Sequence, residues 1–325
     1  MSEAFAHIPV LLDETMQVLR PAASETFIDA TLGGSGHAGR LLELTAPNGR
    51  LLGIDADPAA LAAAENQLGP YGDRVVLVEA FFDRLLEIAR NTDFVPVDGV
   101  LFDLGVSSPQ LDMAARGFSF QTEAPLDMRL GPSAGHTAAD LVQTLPQAEL
   151  QRIFQEYGEE RYSGRIARQI VAQRQSRPIR STIELAELVR KSVPTQTHTR
   201  IHPATRVFQA LRIAVNDELG RLGAALPQAV ESMREGGRLA VISFHSLEDR
   251  IVKRFMRQEA RGCVCPPEIP ECTCGHEASL RVLTTRPIVA GPAEVRENPR
   301  ARSAKLRAAQ KIRPMTSVRL GGARC

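Results

Sequence analysis

Residues Phe27 to Leu42 read FIDATLGGSGHAGRLL. A short apolar run ends at Asp29, a glycine turn follows, and an apolar periodic segment starts inside that turn. Gly34, Gly36 and Gly39 satisfy G-x-G-x-x-G between a strand-like and a helix-like stretch, which is the fingerprint of a dinucleotide-binding turn. Such glycines permit a tight turn and close backbone approach, and the helix N-terminus offers free N–H groups to an anion. The stretch therefore predicts a nucleotide-like ligand but does not name it.

Outward from this turn, strands and helices alternate. Thr26–Ala30, Arg50–Asp55, Arg74–Glu79 and Val97–Asp103 read as strands, with helices over His37–Leu44, Pro58–Leu68 and Phe82–Arg90. Repeated βα units of this kind imply an α/β fold with a Rossmann-like, doubly wound parallel sheet. From about Leu111 to His202 no convincing strand occurs. Helical patterns fall instead at Ala138–Thr144, Gln147–Tyr157, Arg161–Arg174 and Ile183–Lys191. The sheet resumes at Arg238–Ser243, with further strand candidates at Leu280–Thr284 and Ala304–Ala309. The expected organisation is a discontinuous nucleotide-binding domain, 1–110 and 203–325, with an all-helical domain, 111–202, inserted after the fourth strand. In the helix that begins at Pro203, Phe208, Leu211, Val215 and Leu222 form an apolar stripe. Thr205, Gln209, Arg212 and Asn216 lie on another face, which reads either as a binding surface or as a packed polar one.

The chain has 325 residues, 43% hydrophobic and 24% charged, with a net charge of +1. Those values suit a globular protein with ample core. No apolar run approaches the roughly 18 residues of a membrane span, and MSEAFAHIPVLLDE has no basic region before an apolar block. The expectation is a cytoplasmic protein with no membrane partner. Charge is uneven: Arg161 to Ile183 carries six arginines and no acid, and Asn298 to Cys325 carries eight Lys or Arg and no acid. Two such patches suit either solvated surface or a polyanion.

Ligands of doubly wound sheets bind at the carboxyl ends of the strands. Here those ends carry Asp29, Asp55, Phe81 and Asp103. Asp55 would hold ribose hydroxyls in a dinucleotide or an S-adenosylmethionine (SAM) site alike. Asp29, just before the glycines, discriminates: it would repel a diphosphate and attract the sulfonium and ammonium of SAM. Phe81 offers a ring to adenine. The four ends together favour SAM over NAD.

Nine stretches, from HIPVLLDE (7–14) and IDATLGGSGHAG (28–39) to NPRARSAKLRAA (298–309), resemble a known family. The others are GIDADP, LFDLGVSSPQLDMAARGFSF, PLDMRL, YGEERYSGRIARQIV, HPATRVFQALRIAVNDEL and GGRLAVISFHSLEDRIVKRF, and IDATLGGSGHAG lies within Phe27–Leu42. The set is similar to the bacterial small-subunit ribosomal RNA methyltransferases that methylate cytidine at N4 (the RsmH or MraW family). The resemblance implies a class I SAM-dependent methyltransferase fold and a 16S rRNA cytidine in the decoding region of the small ribosomal subunit. It implies SAM contacts from Ser35, Gly36, His37, Asp55, Phe81, Asp103 and Gln110. Many relatives have glycine where Ser35 stands.

The exocyclic amine of cytosine is a poor nucleophile, so an enzyme must mainly position it and accept its hydrogen bonds. Asp103, Ser107 and Ser108 are the expected acceptors. Amino-methyltransferases often carry two prolines and an aromatic after this strand; Ser107-Ser108-Pro109-Gln110 lacks the second proline and the ring. Phe118 or Phe120 is a candidate replacement. Arg129, Arg206 and Arg212 are candidate phosphate contacts. His245 is either a substrate contact or part of a helix cap. A DNA amino-methyltransferase, an NAD-dependent oxidoreductase and a non-catalytic RNA-binding module are the alternatives, and a homodimer is left open. Cys263, Cys265, Cys272 and Cys274, with His276 nearby, suggest metal before disulfide, yet C-x-C pairs chelate less well than C-x-x-C. No metal is expected from the resemblance; zinc and a reduced surface loop both remain open.

Overall fold

The computed structural model describes residues 9–106, 110, 113–194, 202–266 and 271–314. Two units emerge: Val106–Gly220, and the residues on either side of it.

The flanking unit begins with helix α1 (Leu12–Leu19) and then alternates β1 (Thr26–Asp29), α2 (Gly36–Leu44), β2 (Arg50–Asp55), α3 (Pro58–Leu68), β3 (Val75–Glu79), α4 (Leu85–Asn91) and β4 (Val97–Asp103). Its strands lie in the order β3-β2-β1-β4 and pair in parallel. Parallel strands are covered on both faces, so they read as near-continuous apolar runs. Successive residues then serve opposite cores. Ile28, Leu52 and Phe102 join one cluster, whereas their neighbours Phe27, Leu51 and Leu101 join the other. Asp57 caps α3 by accepting from Ala59 N–H at 3.1 Å, with Pro58 at the first helical position.

The helical unit contains α5 (Ala138–Thr144), α6 (Gln147–Glu156), α7 (Ser163–Ser176), α8 (Thr182–Ser192) and α9 (Ala204–Asn216). No strand occurs among its described residues, as the sequence predicts. Capping boxes start α5 (Thr137 and Asp140) and α8 (Ser181 and Glu184). The expected boundary at residue 203 moves. Val207, Phe208, Leu211 and Val215 of α9 fill the core of the helical unit together with Ile153, Phe154 and Ile166. The apolar stripe is real, but it faces the insertion, so α9 belongs with it.

Helix α10 (Glu218–Ser232) leads back to the sheet through β5 (Met233–Ser243). After α11 (Ser246–Glu259) come β6 (Leu280–Val282), α12 (Pro292–Glu297) and β7 (Lys305–Lys311). The sheet finishes as β4-β5-β7-β6, with β7 antiparallel to both neighbours. This is a seven-stranded, Rossmann-like α/β fold with one antiparallel strand inserted next to the edge. Among the described residues no helix is long and apolar enough to cross a membrane.

A candidate cofactor site at the strand ends

The glycine turn is fixed by β2. Gly33 donates its N–H to Asp55 Oδ2 at 2.8 Å, and Asp57 N–H donates to Asp55 Oδ1 at 2.9 Å. Each carboxylate oxygen keeps a lone pair for a ligand hydroxyl. Gly33 and Ser35 both take left-handed backbone, with φ 47° and 58°. That costs glycine nothing but costs serine about 1 kcal/mol. The Ser35 Oγ is buried and without a hydrogen-bond partner.

Two glycine roles differ from the fingerprint's logic. A Cβ on Gly36 would stand 2.5 Å from Pro9 Cγ, so this glycine also admits the N-terminal segment. A Cβ on Gly39 would meet only Leu68 Cδ2 at 3.8 Å, an ordinary contact, so close packing of the helix on its strand does not require glycine there.

Four acids gather on this edge. Asp29 is fully buried and accepts from Thr31 N–H at 3.2 Å. Burial pushes its carboxyl up to about 7, against that one favourable hydrogen bond and aided by the charge of Asp55. Burial likewise raises Asp55. Asp103 is raised well above the usual carboxylate range by burial, then by the charges of Asp29 and Glu248. Its N–H is held by Thr31 Oγ1 at 2.5 Å, its Oδ1 has no partner, and its Oδ2 lies 3.6 Å from His37 Nδ1. The other His37 nitrogen, Nε2, is 3.1 Å from the Val10 carbonyl oxygen. Buried carboxyls that raise one another lack positive charge, and a cationic ligand relieves that deficit. SAM brings a sulfonium and an ammonium, so this donor set fits it; a pyrophosphate would add to the repulsion.

Phe81 follows β3 as expected, but one face of its ring is already covered. The Arg221 guanidinium lies 3.8 Å from the ring centroid and pairs with Asp83 at 2.7 Å. Arg221, Thr31 and Glu248 escape sequence reasoning. Thr31 had a signal as a polar residue directly after a strand end, and Glu248 had one only as the capping-box partner of His245.

His245 caps α11: its Nδ1 accepts from Glu248 N–H at 3.4 Å, and Glu248 Oε2 accepts from His245 N–H at 3.2 Å. The capping option is what the structure contains. Gln110, in the helical unit, is buried. Ser107 and Ser108 lie outside the described residues.

In the helical unit the polar stripe of α9 is a packing surface. Asn216 donates to the Met128 carbonyl at 2.8 Å and accepts from Leu130 N–H at 2.8 Å. Gln209 donates to the Tyr157 carbonyl, and Arg212 forms a double hydrogen bond with Glu218 at 2.8 Å. Arg129 is paired with Asp127 in the same way, also at 2.8 Å. These two arginines are thus already neutralised, whereas Arg206 is exposed and donates to the Glu159 carbonyl at 3.3 Å. Phe118 belongs to the helical core and Phe120 stacks against His202 and Phe208, so neither ring stands free for a base. Cations outside the expected set are better placed. Arg161, Arg165 and Arg168 line a cavity of about 700 Å³ with Gln151, Gln155, Glu159 and Glu160. In the basic C-terminal stretch, three of the described cations are used internally: Arg307 binds Asp249 at 2.6 Å, Lys311 donates to the Met233 carbonyl at 2.6 Å, and Arg313 pairs with Glu277.

The sequence profile of the MraW methylase family matches residues 4–312. A protein of Heliobacterium modesticaldum named ribosomal RNA small subunit methyltransferase H is 50% identical over 311 residues, covering 95% of this chain and 99% of that one. Its namesake in Geobacter sulfurreducens is 53% identical over 309 residues, again with 95% and 99% covered. With a profile match spanning nearly the whole sequence and relatives at about half identity, the chain belongs to the MraW methylase family.

Proposed function

We propose that this protein transfers a methyl group from SAM to the N4 amine of a cytidine in the decoding region of 16S rRNA. The observation that carries the reading is the acid cluster Asp29, Asp55 and Asp103 beside the glycine turn. The names of relatives at about half identity supply the small-subunit rRNA.

When bound, SAM supplies an electrophilic methyl group on a sulfonium. The chain's own work is to hold and to orient. Ser35, Gly36 and His37 present the turn and the start of α2 to the cofactor, Asp55 accepts from its ribose hydroxyls, and Phe81 packs on its adenine. Gln110 joins them by resemblance. Asp29 and Asp103 balance the cationic end. Asp103, with Ser107 and Ser108, accepts hydrogen bonds from the target amine, so that its lone pair turns outward to attack in line. The helical unit binds RNA, with phosphates meeting exposed cations; Arg161, Arg165, Arg168 and Arg206 take this role in preference to the paired Arg129 and Arg212.

The test is nucleoside mass spectrometry of 16S rRNA from cells with and without the gene. Loss of N4-methylcytidine on deletion, restored by the wild-type gene, is expected. Unchanged N4-methylcytidine would end the proposal.

A further inference from the structure

The segment between α11 and β6 has no core of its own. Among its described residues in 261–278, His276 alone is buried. Its base is closed by Ser279, which donates N–H to the Glu259 carbonyl at 2.8 Å and Oγ–H to the Glu259 carboxylate at 2.7 Å. Among the described residues, nothing apolar accounts for the shape of the loop above that closure.

Its cysteines meet there. The Sγ atoms of Cys263, Cys265, Cys272 and Cys274 all lie within 4.8 Å of one another. Cys272 and Cys274 are 3.5 Å apart, Cys274 and Cys263 3.8 Å apart, and all four are free thiols. Tetrahedral zinc, with Zn–S bonds of about 2.3 Å, separates its sulfurs by about 3.8 Å. Two C-x-C arms, each a poor chelator by itself, here converge to complete a set of four.

The backbone supports the same reading. Cys265 N–H donates to Cys263 Sγ at 3.4 Å and His276 N–H to Cys274 Sγ at 3.5 Å. Such N–H···S bonds favour the thiolate, the form that binds metal. The second is made possible by Gly275, whose φ of 61° turns the chain back over the sulfur. His276 is no ligand; its Nε2 lies 3.2 Å from the Gln258 carbonyl oxygen and fixes the loop to α11.

We propose that Cys263, Cys265, Cys272 and Cys274 bind one structural zinc ion. Four sulfur donors without oxygen suit zinc rather than magnesium or calcium. A closed set of four leaves no open position for chemistry, so the ion's role is to hold the loop.

The full-length protein, purified in reductant without chelator, should contain one zinc per chain by elemental mass spectrometry. Cobalt exchanged into it should show thiolate-to-cobalt charge transfer and the intense visible bands of a tetrahedral site. Cys272→Ser should lose the zinc while keeping SAM affinity by calorimetry. The cobalt spectrum of the wild-type protein decides the matter if that variant does not fold. Absence of zinc both as purified and after zinc is offered to the reduced protein would overturn the proposal. So would iron in its place, full zinc retention by Cys272→Ser, or cysteines paired as disulfides in protein kept from air.

Discussion

Arg221, at the start of α10, spreads its guanidinium 3.8 Å from the centre of the Phe81 ring and holds Asp83 at 2.7 Å. It backs the ring that we assign to adenine. A desolvated cation–π contact contributes about 2 kcal/mol and an exposed one less. Arg221→Ala should therefore lower stability by about 1–2 kcal/mol in urea unfolding and weaken SAM several-fold by calorimetry. Arg221→Lys keeps the charge but not the flat stack, so it should recover only part of the loss. If the alanine variant matches wild type in both measurements, the stack has no role.

Asp29 makes cofactor binding depend on pH. Its carboxyl sits at about 7 because it is buried, and a cationic ligand favours the ionised form. SAM affinity should be constant at high pH and fall as pH drops through 7, by about tenfold per unit if one proton is coupled. Stability runs the other way. The fold binds this proton more tightly than the unfolded chain does, so ionising Asp29 destabilises it. The penalty is absent below 3.8, grows up to about 7 and is full above that, where it amounts to about 4 kcal/mol. Asp29→Asn should raise the melting temperature more at pH 8 than at pH 5, and should flatten the pH dependence of SAM titrations. A pH-independent wild-type affinity would remove Asp29 from the site.

Much of this site was legible because strand ends are local features. Asp29, Asp55, Phe81 and Asp103 each follow an apolar run, and the alternation of elements places them on one edge of the sheet. What was not legible depends on partners distant in sequence. Arg221 lies 140 residues beyond Phe81, and nothing near it announces a stack. The polar stripe of α9 looks the same in sequence whether it meets RNA or the Met128–Leu130 backbone. Gly36 was read as cofactor approach, yet its missing Cβ is also what admits Pro9. The four cysteines were ambiguous because ligand spacing along the chain says little when two arms meet in space.

Ser35 carries a cost that glycine would remove. Its φ of 58° is left-handed and its Oγ is buried without a partner. Ser35→Gly should stabilise the protein by about 1 kcal/mol, the relief of strain exceeding the entropy that glycine adds to the unfolded chain. Differential scanning calorimetry checks this. A destabilised variant would mean that the hydroxyl is satisfied in the free protein and that the strain is outweighed.

Asp103 serves both the cofactor and the amine. Burial, with the charges of Asp29 and Glu248, raises its carboxyl well above the usual range. Asparagine keeps its shape without its charge. Asp103→Asn should weaken SAM several-fold, through the lost balance of its cationic end, and reduce kcat by on the order of a hundredfold, because the amine loses its anionic acceptor. Single-turnover methylation of small-subunit RNA reads the chemical step directly. Full turnover would pass the acceptor role to Ser107 or Ser108.

The last prediction concerns the RNA. Arg165 and Arg168 are exposed on α7 beside the cavity of about 700 Å³, and among the described residues neither makes an ion pair. Unlike Arg212, which Glu218 neutralises at 2.8 Å, they are free to meet phosphates. Replacing both with glutamate should weaken RNA binding at low salt by tenfold or more. Each lost phosphate contact should also reduce the slope of log affinity against log salt by about 0.7–0.9. SAM affinity should not change, because neither Arg165 nor Arg168 is among the residues assigned to the cofactor. Arg212→Ala should differ in kind: it breaks an ion pair only 15% and 10% exposed, so it should lower the melting temperature and leave the salt slope unaltered. Filter binding over a salt series distinguishes the two outcomes. An unchanged slope for the double glutamate variant would move the RNA path off α7.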